Sequence, residues 1–144
     1  MEITKELLAA YQSKRQEIKE LDYILNNRWK SESMISADTI LNYSKGYPVP
    51  EGVAGFDQER YERLQNRDIR RKERLEEECK AVEDFVSGIQ DSVTRRIFQM
   101  YYLDGLNPVK QENVAKKLHM ERSNVSKKID KYLQVSHNSH ESHL

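Results

Sequence analysis

The chain is short of the residues that build most enzyme sites and most compact cores. Cys79 is the single cysteine among 144 residues, which excludes an internal disulfide and a cysteine-based zinc site. Cys79 itself falls beside an apolar seam and reads as a small core residue. There are five glycines and three prolines, and three of the glycines and two of the prolines fall between 46 and 55. Outside that segment little interrupts regular structure. Long apolar runs are missing, and the N-terminal MEITKELLAAYQSK has neither a basic n-region nor an apolar h-region. The expectation is a cytoplasmic protein with no membrane partner.

Catalytic signatures are absent too. The sequence holds no glycine-rich phosphate loop, no histidine–glutamate metal motif and no nucleophile with a recognisable base. Glu76, Glu77 and Glu78 form a charge run of the kind that is normally a solvated helix face. His137, His140 and His143 recur at every third residue on a polar tail, a pattern that fits unstructured sequence better than a metal site. The expectation is no enzymatic activity, no cofactor and no metal.

Charge and helix formers are plentiful. Charged residues make up 33% of the chain, and 24 basic residues cancel 24 acidic ones. Abundant leucine, glutamate, lysine and arginine favour an all-α fold. Net neutrality does not exclude an anionic partner, because the local patch matters more than the total. Between Arg95 and Lys131 nine basic residues face four acidic ones, so the C-terminal third is where such a partner would bind.

Periodicity divides the chain into 1–90, a helical, coiled-coil-like hairpin with a loop at 31–56; 91–133, a three-helix unit; and 134–144, a flexible polar tail. From Ile3 to Trp29, Leu7, Tyr11, Lys14, Ile18, Leu21 and Leu25 recur in steps of four and three, with Leu8 and Ile24 widening the stripe. Ser36-Ala37-Asp38 offers the start of one helical turn through Ile40 and Leu41 inside the loop. A second long helix follows the N-cap candidate Asp57, with a seam at Leu64, Arg71, Leu75, Glu78, Val82, Phe85 and Ile89. The two helices fold back on each other most simply as an antiparallel hairpin. So narrow a stripe also favours pairing with another chain, as a homodimer or higher oligomer, and whether the seam closes within or between chains stays open. Trp29 and Tyr23 read as packing or interface residues.

After Gly88 and Asp91-Ser92, SVTRRIFQMYYLDGL reads as a helix with Val93, Ile97, Met100 and Tyr101 inward, and one of Tyr101 and Tyr102 facing the core. Asn107-Pro108 offers an N-cap with proline at the first helical position. Val114, Ala115 and Leu118 form one buried face, and Val125, Ile129 and Leu133 another after a turn at His119-Met120. Glu121 stands at the N-cap of this last helix. Two helices, a tight turn and a small residue at the crossing are the skeleton of a helix-turn-helix. The inward set turns Ser123, Asn124, Lys127 and Lys131 outward, with Lys128 on the flank. Lysine suits phosphates and guanine edges, and asparagine pairs bidentately with adenine. Arg95, Arg96, Lys116, Lys117 and Arg122 are the phosphate-holding candidates.

DSVTRRIFQMYYLDGLNPVKQENVAKKLHMERSNVSKKIDKYL also resembles the region of bacterial sigma factors that binds promoter −35 DNA. In detail it is similar to the sigma-like regulators of phages and prophages of Gram-positive bacteria, the ArpU- and RinA-like late-transcription activators. The likeness rests on RRIFQMYYLDGL, NVAKKL and SNVSKKI. It implies a supporting helix at Gln111 to Leu118 and a recognition helix at Arg122 to Leu133, set in the major groove of double-stranded DNA. It also implies a left-handed conformation at His119, where such turns often carry glycine. Contact with RNA polymerase stays open. A complete sigma factor is excluded, since nothing supplies a promoter-melting domain. Two other readings stand beside this one: a DNA-packaging protein like a phage terminase small subunit, and a helical protein–protein interaction module that never touches DNA.

Overall fold

The computed structural model describes residues 2–32, 40–43, 46, 49–51, 57–105 and 110–141. Among these residues the protein is all-α apart from one short ribbon. Its helices are α1 (Lys5–Ala9), α2 (Tyr11–Glu32), α3 (Gln58–Ser87), α4 (Ser92–Phe98), α5 (Gln111–Leu118) and α6 (Arg122–Glu141), with a π-helical turn at Gln99–Leu103. The strands β1 (Ile40–Asn42) and β2 (Val49–Glu51) pair antiparallel, Ile40 opposite Glu51 and Asn42 opposite Val49. The helical turn expected through Ile40 and Leu41 is therefore a strand. Gly46 sits between the two strands at a φ of 83°, a left-handed value suited to glycine. Among the described residues no helix is long and apolar enough to cross a membrane.

By its contacts the chain forms two compact units, Met1–Lys14 with Glu77–Leu144, and Arg15–Glu76. They are not colinear with the segments read from the sequence, because α2 and α3 each contribute to both.

In the unit formed by Arg15–Glu76, the buried positions of α2 are Ile18, Leu21, Leu25 and Arg28, and those of α3 are Tyr61, Gln65, Asp68 and Leu75. Trp29 and Ile69 pack against Tyr61. Arg28 donates to Gln65 at 2.6 Å and to Asp68, the Gln65 amide donates to the Leu25 carbonyl at 3.1 Å, and Lys72 pairs with Asp22. Later residues of α2 meet earlier residues of α3, so the two run in opposite directions here. Asp57 caps α3 as expected, accepting the Arg60 N–H at 3.0 Å. Leu75, Val82 and Ile89 are buried as expected, but at Leu64, Arg71, Glu78 and Phe85 the seam lies one residue away. Leu64 is only half-buried and Arg71 is exposed. The true seam keeps steps of four and three, with half-buried Lys72 between Asp68 and Leu75, and fills several of them with polar side chains. Ile24, expected to widen the α2 stripe, is 40% exposed.

In the other unit, Thr4 caps α1 by accepting the Leu7 N–H at 3.2 Å, and Leu8, rather than Leu7, is fully buried. Lys14 pairs with Glu78 at 2.6 Å and the Tyr11 hydroxyl donates to Glu83 at 2.9 Å. Cys79, Val82, Val86 and Ile89 continue the α3 seam, which leaves Glu78 and Phe85 half-buried beside it. Phe85, Phe98 and Tyr132 meet edge to face with centroids 5.6–6.0 Å apart, and Tyr102 adds to Phe98 at 5.7 Å.

The inward face of α4 is Thr94, Ile97 and Phe98, followed by Tyr102 in the π-turn, while Val93 is 40% exposed and Met100 and Tyr101 are half-buried. Two local features cause this shift from the expected face. Asp91 caps α4 by accepting both the N–H and the hydroxyl of Thr94, at 3.0 and 2.6 Å, which holds Thr94 inward. The π-turn then closes with Asp104 N–H on the Gln99 carbonyl at 2.8 Å, and the extra residue per turn rotates Tyr102 onto the core.

Candidate nucleic-acid interface

The α5–α6 pair begins with an unusual helix end. α5 starts at Gln111 behind an extended Lys110 and stops at His119, whose φ of 55° and ψ of 48° are left-handed. The Met120 N–H returns to the Ala115 carbonyl at 3.0 Å and the His119 N–H to Lys116 at 3.4 Å. That pair of bonds is the Schellman closure, which satisfies two carbonyls the helix end would leave open. The expected left-handed His119 is observed, whereas the cap expected at Asn107 lies outside the described residues. The Glu121 carbonyl then accepts from Asn124 and Val125 at 3.0 and 3.3 Å, which starts α6 at Arg122.

Val114 and Ala115 of α5 are buried, as are Val125, Ile129 and Leu133 of α6. These side chains define which way α6 faces. Ser123, Asn124, Lys127 and Lys131 are all exposed, within an arc of about 100° away from the buried row. Lys128 is half-buried and close enough to Asp91 to help hold that carboxyl below its ordinary range, after the larger effect of the two Thr94 hydrogen bonds. The expected flank position of Lys128 is thus occupied by a side chain turned partly toward α4.

Arg122, Lys116, Lys117 and Arg96 are exposed. Lys116 has a loose pair with Glu112 at 3.8 Å. Arg95 is different, being half-buried with its guanidinium donating to the Ile89 carbonyl at 2.9 Å. Its charge is tied to the end of α3, and Arg96 is the α4 residue that presents an exposed one.

One contributor to this face could not be seen in the α6 sequence. Asp130 lies between Lys127 and Lys131, yet Lys5 pairs with it across the unit. The acid on the lysine-bearing helix is thereby offset by a base from the far end of the chain. The only sequence signal was an exposed lysine at the start of a short helix, which carries no hint of its partner.

The helix also runs past Leu133, where the recognition segment was expected to give way to a flexible tail. α6 continues to Glu141, and His137 makes a 2.9 Å hydrogen bond to the Ile3 carbonyl with Glu2 at 3.7 Å. Ile3 is buried in the same unit, so the extra helix has something to rest on.

No protein-family model, curated protein or solved structure matches this chain. The case for a function therefore rests on the residues and their placement.

Proposed function

We propose that the protein binds double-stranded DNA through a helix-turn-helix made by α5 and α6, at the end of an all-α chain whose long helices form a hairpin. In this reading it is a transcriptional regulator of the phage type. α6 enters the major groove with Ser123, Asn124, Lys127 and Lys131, while Arg122, Lys116, Lys117 and Arg96 hold phosphates on either side. Arg95 and Lys128 support the fold and add charge behind that face. The observation that carries the reading is the four-residue polar arc of α6, exposed directly after a left-handed turn and backed by the buried Val125, Ile129 and Leu133. Side chains at the start of the second helix of such a pair are the ones that reach base edges.

The chemistry fits the job. Asn124 can pair bidentately with adenine, and Lys127 and Lys131 can meet guanine edges or phosphates, at about 1–3 kcal/mol of discrimination per well-paired base. An exposed basic face also makes affinity fall steeply with salt, through counterion release.

The test is fluorescence anisotropy of the full chain against labelled duplex fragments from its own genomic neighbourhood, at low and moderate salt. Tight binding to one fragment is expected, weakened by about tenfold or more for each base-reading lysine replaced in Lys127→Glu, Lys131→Glu. Equal affinity of wild type and variant for every fragment would remove α6 as the reading helix. Sedimentation of the same protein separates regulation from packaging. A dimer accords with the regulator, and a ring of many subunits would transfer the reading to a packaging protein.

A further inference from the structure

We infer that α3 carries a second nucleic-acid surface, an arginine stripe that holds the phosphate backbone of duplex DNA without reading its sequence. Arg60, Arg63, Arg67, Arg70, Arg71 and Arg74 follow one another in steps of mostly three and four, and all six are exposed. At the helical repeat they fall within an arc of about 100°, turned away from the buried row of Tyr61, Gln65, Asp68 and Leu75. The acids of this stretch, Glu59, Glu62, Glu73 and Glu76, fall on the neighbouring arc instead. The arginines thus share one arc of α3 and most of the acids the next, with Glu59 and Glu62 at the border between them.

Two arginines of the stripe are anchored at the seam. Arg67 lies 3.1 Å and Arg71 4.0 Å from Asp68, which Arg28 also reaches from the core side. Arg63, Arg70 and Arg74 form no ion pair among the described residues. Together with Asn66, arginines 63 to 74 line an open groove along the helix, which Glu59 and Glu62 border at its N-terminal end.

The choice of partner comes from what the stripe contains and what it lacks. Every member is a guanidinium, the planar fork that binds phosphate through two parallel hydrogen bonds. From Arg60 to Arg74 the helix rises about 21 Å, a span that meets several phosphates at about 3.4 Å per nucleotide of a strand. A protein interface of this length would need apolar or aromatic anchors at its centre, and the arc holds none. A single strand would need exposed aromatics on which bases stack, but Tyr61 is buried. A regular line of phosphates asks for neither.

This inference does not depend on the α5–α6 reading, since the stripe belongs to the other unit. The test uses the full chain with Arg63, Arg70 and Arg74 all changed to Gln. Anisotropy with a labelled duplex of arbitrary sequence is recorded over a salt series. The slope of log affinity against log salt should become shallower by about 0.9 for each phosphate no longer neutralised, while circular dichroism and the melting temperature stay as in wild type. If the triple variant folds poorly, Arg70→Gln alone should show one such step. An unchanged slope in a folded variant would overturn the inference. So would poly-glutamate binding as tightly as the duplex, or a single strand binding more tightly. Repeating the series in the Lys127→Glu, Lys131→Glu background keeps the two surfaces distinct. A slope change there from the arginines alone supports the stripe even if α6 reads nothing.

Discussion

The backbone N–H of Met120 reaches the carbonyl of Ala115 at 3.0 Å, and it does so because His119 between them is left-handed. The turn that orients α6 therefore depends on a conformation costing a non-glycine residue about 1–2 kcal/mol. His119→Gly relieves that cost and gives back part of it through the greater freedom of glycine in the unfolded chain. We expect a net gain of about 0.5–1 kcal/mol in urea unfolding. His119→Val should lose stability, because a β-branched residue resists this region most. A glycine variant no more stable than wild type would mean that the histidine side chain contributes to the turn.

Arg28 and Asp68 meet inside the helical seam at 6% and 2% exposure, with Gln65 fully buried beside them. Removing Asp68 takes the charge partner from a guanidinium buried in the seam. Asp68→Ala should cost about 3–5 kcal/mol, whereas replacing the set together, with Arg28→Met, Gln65→Leu and Asp68→Leu, should be neutral or stabilising by up to about 4 kcal/mol. Urea titrations of the two variants decide this. Equal losses in both would show that the cluster is worth more than the apolar packing that could replace it.

Two carboxyls are held below their ordinary range in the fold. Burial pushes Asp68 up, but hydrogen bonds from Arg67 and Arg28 and the charges of both outweigh it and hold the group below its ordinary value. Asp91 is lowered by hydrogen bonds from the hydroxyl and then the backbone N–H of Thr94. A depressed carboxyl stabilises the fold above its unfolded pKa of about 3.9, and that contribution fades as the pH falls through the folded value. The melting temperature should be level down to about pH 5 and drop below about pH 4. Asp91→Asn keeps a capping oxygen but has no proton to take up, so its acid drop should be smaller. Identical acid profiles for wild type and Asp91→Asn would remove the cap from this account.

Much of the architecture could be seen in the spacing of apolar residues. Tyr11, Ile18, Leu21 and Leu25 on α2, and Val125, Ile129 and Leu133 on α6, are buried as their steps of three and four require. The end of α5 and the start of α6 were also legible, through the turn at His119-Met120 and the cap position Glu121, whereas the start of α5 at Gln111 was implied by the resemblance alone. Three things were not. Gln65 and Asp68 occupy seam positions in α3, and a polar residue gives no apolar signal when its partner, Arg28, lies on another helix. The Asp91 cap turns Thr94 inward in place of Val93, and the π-turn at Gln99–Leu103 changes the helical repeat, which decides that Tyr102 faces the core and Tyr101 does not. Lys5 and His137 pair with residues at the opposite end of the chain, which local pattern cannot anticipate.

Tyr102 gives the π-turn its own readout. Burial pushes its hydroxyl up to about 12, with Tyr101 and Asp130 adding to the shift. A tyrosine in the unfolded chain ionises near 10, so the folded state keeps this proton longer. Stability from that difference is complete below about pH 10 and is lost as the pH rises toward the folded value. Absorbance titration should show a late step for Tyr102, accompanied or followed by loss of helix. Tyr102→Phe should erase the late step while keeping the ring against Phe98, where the centroids are 5.7 Å apart. A late step that survives this substitution would assign it to another tyrosine and would leave Tyr102 open to solvent, contrary to the packing that the π-turn creates.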